Sequence, residues 1–220
     1  MERINTLEPW GWNAYFSEQV TDLELAQCQV ARIVEPARGL SRAVCAVGEI
    51  WVEQADGVSP AVGDWIVGRL RDQGAGEKRM STERILPRFN KVSRVAPGGQ
   101  GYEQILCANV DAVFIVVAVS QQLHLPGVQR ALEVVREAGI LPAIVVTKAD
   151  EGIDTRSTVA EIESIAQGAV IHLLSVKQRR GLEVLPPYFE GDRTVVLLGA
   201  SGAGKSTLTN YLLSTEVAKV

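Results

Sequence analysis

Cysteine and histidine are scarce in these 220 residues. Cys28, Cys45 and Cys107 lie far apart, and His124 and His172 stand alone. That spacing excludes a disulfide framework and writes no zinc cluster. Each cysteine is predicted to be a small buried hydrophobe, which suits a reducing cytoplasm. No apolar run approaches the roughly 18–20 residues of a membrane span. The longest, Ala112–Val119, has the length of a buried strand. The first residues do not read as a basic, apolar leader, so no membrane partner is expected. Internal repeats, low-complexity segments, paired carboxylates and a Ser/His/Asp set are lacking as well. There is no excess of basic charge either: the formal net charge is −4. A protein wholly devoted to nucleic acid would be basic.

What charge there is falls unevenly. From Arg69 to Arg94 the chain carries eight basic and three acidic residues, a local balance of +5. This stretch is either a solvated strand-and-loop surface or a footprint for an RNA backbone, since Lys and Arg supply most non-specific affinity for phosphates.

Short β segments fill the first part: Leu25–Val34, Arg42–Val47, Glu49–Glu53, Asp64–Arg71 and Glu83–Leu86, with a bulge or tight bend at Gly48. Five strands in about 70 residues fit an all-β, OB-like barrel. Residues 1–23 are then an N-terminal extension, and 24–95 the barrel. Trp51 and Trp65 are predicted as core residues, with base stacking as the alternative. Ala96–Gly101 is rich in Pro and Gly and opens a linker over 96–105.

From 106 to 220 the period changes to α/β. Val110–Val119, Leu141–Val146, Val170–Leu174 and Thr194–Leu198 read as strands. Gly127–Ala138 and Thr155–Gln167 read as helices, and Leu182–Leu185 as a helical turn. Continuous Val/Ile/Leu runs predict a parallel sheet covered on both faces.

Chemistry concentrates in Gly199-Ala200-Ser201-Gly202-Ala203-Gly204-Lys205-Ser206, which matches G-x-x-x-x-G-K-[ST] between a strand and the helix Ser206–Leu213. Such a loop turns successive N–H groups inward onto phosphate oxygens, and the helix N-terminus adds its dipole. Lys205 is placed to reach the β- and γ-phosphates as the catalytic cation. The Ser206 hydroxyl is the candidate Mg²⁺ ligand, and Thr207 can bond the α-phosphate.

The base is addressed by Thr147-Lys148-Ala149-Asp150 at the end of a strand. A carboxylate at Asp150 can accept from guanine N1–H and the 2-amino group, while adenine would leave it unpaired. The Lys148 stem can lie across the base. Alone, these four residues also suit an ordinary loop with a helix cap. Ser175-Val176-Lys177, after the next strand, supplies a third loop whose backbone N–H could read guanine O6. Three strand-end loops put the site at the carboxyl edge of the sheet, where open α/β sheets bind ligands. His124 is predicted to be a solvated loop residue, with a general base as the alternative, and His172 a satisfied packing residue.

The loop order is base, base, phosphate, the reverse of ordinary GTPases. In this the chain resembles the circularly permuted, ribosome small-subunit-dependent GTPase A family. Pro60–Trp65 (PAVGDW), Ile85–Arg88 (ILPR) and Ala108–Asp111 (ANVD) extend the resemblance over nearly the whole chain. It implies an OB-like barrel followed by a permuted P-loop NTPase domain with an incomplete parallel sheet. It implies GTP and GDP with Mg²⁺ as ligands, GTP hydrolysis, a monomer in the cytoplasm, and the small ribosomal subunit with its 16S rRNA as partner during late maturation. Thr147 stands where most GTPases carry Asn, which would weaken guanine pairing by around 1 kcal/mol. The family's switch threonine, its D-x-P-G loop and a zinc-binding C-terminal domain are expected after the phosphate loop and are not found in this sequence. These residues are therefore expected to be a truncated piece, with weak or no nucleotide binding and little hydrolysis. Two rivals remain: an ATP-using P-loop protein, and a non-catalytic RNA-binding module.

Overall fold

The computed structural model describes residues 5–54, 59–72, 78–95, 103–119, 123–151 and 154–214. The chain divides into two compact units, Met1–Asn109 and Val110–Val220. The predicted seam at Ala96–Gly101 lies outside the described residues.

Five strands of the first unit form its barrel: β1 Gln29–Glu35, β2 Leu40–Cys45, β3 Gly48–Glu53, β4 Trp65–Asp72 and β5 Lys78–Ile85. They close into a barrel of order β1-β2-β3-β5-β4, with β4 returning to pair antiparallel with β1. β3 and β5 run parallel, and the other pairs are antiparallel. This is the OB-like barrel the strand pattern predicts. Closure leaves no free edge. Inward positions carry small and branched side chains, among them Ala31, Ile33, Ala43, Ile50, Val52 and Met80. Gly48 sits at the predicted bend, pairing with Cys45 to close the β2–β3 hairpin.

A strand beginning at Leu25 is not what forms. The chain makes α1 at Ala14–Ser17, then α2 at Asp22–Gln27, and enters β1 only at Gln29. Thr21 explains the difference. Its hydroxyl accepts from the Glu24 N–H, and the Glu24 carboxylate accepts from the Thr21 N–H, a reciprocal capping box that starts a helix. The extension then packs Leu7, Trp12, Phe16 and Val20 over the outward residues Trp65 and Val67 of β4. Trp12 meets Trp65 edge-on, with ring centroids 4.9 Å apart. So β4 is buried on both faces there, with Ile66 pointing into the barrel.

Two further strands, β6 Lys91–Val95 and β7 Glu103–Ala108, form an antiparallel ribbon. β7 runs through positions the sequence assigns to a linker and to the start of the second part. Its pairing with β6, from Lys91–Ala108 to Val95–Glu103, satisfies its backbone, and Cys107 and Ala108 are buried.

In the second unit, β8 Ala112–Ala118, α3 Leu125–Glu137, β9 Leu141–Thr147, α4 Thr155–Ala166, β10 Val170–Leu173, β11 Val195–Leu198 and α5 Lys205–Ser214 alternate as predicted. The sheet order is β10-β9-β8-β11, all parallel. Helix α3 packs on β8 and β9, and α4 on β10. Leu208 and Leu212 of α5 join Leu182 and Leu185 in a core with Phe114, Val116, Ala143 and Val145. Covering on both faces is why β8 and β9 read as continuous apolar runs. Leu198 lies opposite Ile115, Ala118 opposite Thr147 and Leu173 opposite Val146, so all four strands end at one edge.

Candidate nucleotide site

Gly199 leaves β11 at that edge. A Cβ here would come within 2.2 Å of the Val116 carbonyl oxygen, so only glycine lets the loop pass so close to β8. The turn through Ser201 and Gly202 is exposed, whereas Ala203 is buried in the core and anchors the loop from below. The Ala203 N–H donates to the Ala200 carbonyl at 3.3 Å. Lys205 opens α5, and its ammonium donates to the carbonyls of Gly199 (2.8 Å) and Ala200 (2.7 Å). The cation is thus held over the loop. Ser206 and Thr207 occupy the exposed first turn of the helix.

β8 lies between β9 and β11, so the base-type loop starts two strand spacings, roughly 10 Å, from the phosphate-type loop. The link between them is direct. Thr147 is buried, and its hydroxyl donates to the Ala203 carbonyl at 2.6 Å, with the Val117 carbonyl 3.3 Å away. A Cβ on Gly204 would sit 3.2 Å from the same hydroxyl oxygen. Thr147 therefore faces the phosphate loop rather than a base, and its short hydroxyl suits that job. Lys148 then turns the chain with φ +61°, an uncommon left-handed conformation for a side chain of its size, and its ammonium lies 3.7 Å from Glu151.

Asp150 and Ser175 meet. The Ser175 hydroxyl donates to Asp150 Oδ1 at 2.5 Å and accepts from the Gln178 N–H at 3.0 Å. That donated bond holds the Asp150 carboxyl below the usual carboxylate range, helped by Lys177 and Lys148. The Ser175 and Arg180 backbones exchange two bonds of 3.0 Å each, which closes the loop carrying the half-buried Val176 and exposed Lys177. The Ala149 N–H donates to Leu174 at 3.3 Å and locks the two loops side by side. The edge therefore offers an ionised acceptor at one end and a cation with glycine-rich backbone at the other. That polarity suits a hydrogen-bond donor at one end and an anion at the other.

His124 is exposed at the start of α3 and lines a mostly apolar cavity of about 300 Å³ with Ile115, Val128, Gly199 and Ala203. His172 is half-buried, as predicted for packing, and its Nε2 lies 2.8 Å from the Tyr188 hydroxyl; burial lowers its pKa. The two tryptophans part company. Trp65 is fully buried, but Trp51 is 37% exposed, which corrects its prediction as a core residue.

Residues from three segments quoted for the family resemblance are tied together inside the first unit. Asp64 of PAVGDW is fully buried and takes bidentate bonds of 2.6 Å from Arg88 of ILPR. Asn109 of ANVD donates to the Gly63 carbonyl at 2.9 Å and accepts from the Phe89 N–H at 3.1 Å. Asp111, in the second unit, accepts from the Thr194 N–H at 2.7 Å and fixes the start of β11. Sequence reasoning missed these roles; a charge at a strand end inside an apolar segment was the available signal.

A family model described as RsgA GTPase matches residues 85–220. The chain belongs to the RsgA GTPase family. It is 35% identical over 226 residues to a small ribosomal subunit biogenesis GTPase RsgA of Opitutus terrae, covering 96% of this chain and 61% of that protein. It is 39% identical over 166 residues to the protein of the same name from Methanosarcina acetivorans, covering 76% of this chain and 44% of that one. The chain thus spans less than two thirds of these RsgA relatives' own length. Among solved structures it resembles YjeQ from Thermotoga maritima, with a TM-score of 0.63 at 22% identity over 84% of this chain and 65% of that one. It also resembles YloQ, a circularly permuted GTPase, with a TM-score of 0.58 at 24% identity over 86% of this chain and 66% of that one. These likenesses carry the fold: a closed OB-like barrel and a permuted parallel-sheet unit.

Proposed function

We propose that the carboxyl edge of the parallel sheet binds guanine nucleotide, and that the whole protein hydrolyses GTP while acting on the small ribosomal subunit through its 16S rRNA. The relatives, small ribosomal subunit biogenesis GTPases by name, support the ribosomal part. The observation that carries the nucleotide part is the Thr147–Ala203 bond, which ties the base-type loop to the phosphate-type loop.

In this reading Asp150, aligned by Ser175, accepts from guanine N1–H and the 2-amino group. The Lys148 stem covers the base, and a backbone N–H of Ser175–Lys177 reads O6. The backbone of Gly199–Gly204 surrounds the phosphates, and Thr207 bonds the α-phosphate. Lys205 exchanges its bonds to Gly199 and Ala200 for β- and γ-phosphate oxygens, neutralising charge that develops in phosphoryl transfer. Mg²⁺ fits at Ser206: an exposed hydroxyl is a hard oxygen donor, and this ion takes few protein ligands beside phosphate and water. When bound it would supply charge neutralisation between the phosphates. The chain's own part is to orient and to hold charge.

We propose further that these 220 residues by themselves bind GDP weakly and turn GTP over near background. A monomer in the cytoplasm belongs to the same proposal. Turnover by the 220 residues with and without small ribosomal subunits tests the hydrolytic part. A clear ribosome-stimulated rate from this chain alone would overturn that expectation.

A further inference from the structure

The N-terminal extension turns an aromatic pair outward. Tyr15 on α1 is 42% exposed, and Phe89, in the segment after β5, is 41% exposed. Their rings meet edge-on with centroids 5.8 Å apart. Both stand on the buried Phe16, whose centroid lies 5.2 Å from Tyr15 and 5.9 Å from Phe89, and which packs in turn on Trp12 and Trp65. Hydrogen bonds fix the pair. The Asn13 side chain caps α1 by accepting from the Tyr15 N–H at 3.0 Å. Gln19 Nε2 donates to the Tyr15 carbonyl at 3.0 Å and the Pro87 carbonyl at 3.3 Å, clamping the helix to the segment that carries Phe89. Two large aromatic side chains are thus left in water on a rigid base.

The charge carried by the extension has one sign. From Asn5 to Gln27 the acids are Glu8, Glu18, Asp22 and Glu24, and there is no lysine or arginine. Arg84 engages Glu24 at 2.9 Å. Glu8, Glu18 and Asp22 are exposed and make no ion pair among the described residues. Glu18 follows Tyr15 by three positions and keeps a helical backbone, with φ −67° and ψ −15°, so the two are neighbours on one side of the turn. The cations nearest Phe89 in sequence are already engaged, Arg88 by Asp64 and Lys91 by Glu103.

We infer that Tyr15, Phe89 and Glu18 form a docking face for an extended, Lys- and Arg-rich segment of a partner protein. A guanidinium or ammonium group over an aromatic face is attracted by the ring quadrupole. The apolar stem of the same side chain covers the ring, and a carboxylate beside it balances the charge. Charge complementarity selects this occupant. An acidic, aromatic face repels a polyanion, and an uncharged apolar segment would strip water from the acids without replacing it. The inference is independent of the nucleotide reading, which uses only loops of the parallel sheet.

The test is fluorescence-anisotropy titration of a labelled Arg-Gly repeat peptide with the 220-residue chain and its variants, using a neutral Gln-Gly peptide of equal length as reference. Tyr15→Ala and Phe89→Ala are each expected to weaken binding by roughly threefold, the scale of one exposed cation–π contact, and together by roughly tenfold. Tyr15→Phe keeps the ring and should stay within about twofold. Glu18→Gln should weaken binding by roughly twofold, as for one exposed ion pair. Glu163→Gln removes an exposed acid of α4 and should leave affinity unchanged, which separates this face from the general acidity of the chain. Urea midpoints report whether the alanine variants keep their packing; where one does not, Glu18→Gln against Glu163→Gln decides. Unchanged affinity in the folded double variant, equal losses in Glu18→Gln and Glu163→Gln, or equally tight binding of the Gln-Gly peptide would overturn the inference. Single-stranded RNA that binds more tightly than the peptide and is lost with Tyr15→Ala would overturn it too.

Discussion

Asp64 has no exposure to water, and both of its oxygens are taken by Arg88. A buried carboxylate stripped of its partner is expensive, so Arg88→Ala should cost about 3 kcal/mol in urea unfolding. Asp150 behaves differently because it is reachable by solvent and held ionised by a donated hydroxyl. Its folded pKa lies below the ordinary value, so guanine affinity should persist as pH falls through the usual carboxylate range. Ser175→Ala removes the largest cause of that shift, and the pH at which GDP affinity fades should then move upward. A pH series of GDP titrations on both proteins checks this; an unmoved profile would contradict it. The cysteines are simpler. Burial raises all three, Cys107 to about 11, so none should react with a thiol reagent near neutral pH until the chain unfolds. Their burial was legible from type alone. The facing of Thr147 was not, because T-K-A-D fixes where the residue sits on the chain but not which neighbouring loop its hydroxyl meets.

Among the elements, the parallel strands were the most legible, since burial on both faces leaves unbroken Val and Ile that no loop or surface helix would carry. Helix α2 was missed although Thr21 and Glu24 stand at capping-box spacing, because the apolar residues from Leu25 onward continue into β1 and mask the boundary. That cap should be measurable. Thr21→Ala is expected to lower stability by about 1 kcal/mol. Glu24 is held near a pKa of about 2, against 4.5 unfolded, first by Arg84 and then by the Thr21 N–H. Its contribution is therefore fully present above 4.5 and lost as pH falls toward 2. The stability gap between wild type and Glu24→Gln should close across that window in thermal melts. A gap independent of pH would mean that the carboxylate charge is not what the cap uses. The β6–β7 ribbon was illegible for another reason: its pairing depends on a partner strand, not on a local period.

Over the whole chain, one closed barrel and one parallel sheet stand as separate units, and the guanine nucleotide proposed for the chain belongs to the sheet. Each unit has its own core. The fold was readable because strand order and loop order are set by patterns along the sequence. The site was readable only in outline, since ties such as Thr147–Ala203 and Ser175–Asp150 join residues 56 and 25 positions apart. The central claim is that Asp150 selects guanine at an edge shared with Lys205. Ligand-observed NMR competition between GDP and ADP, on wild type and Asp150→Asn, tests it most directly because it registers weak binding. The account predicts that GDP displaces ADP with at least about a hundredfold preference, and that Asp150→Asn abolishes the preference while phosphate-dependent binding remains. Equal competition by ADP in the wild type, or an unchanged preference in Asp150→Asn, would contradict it.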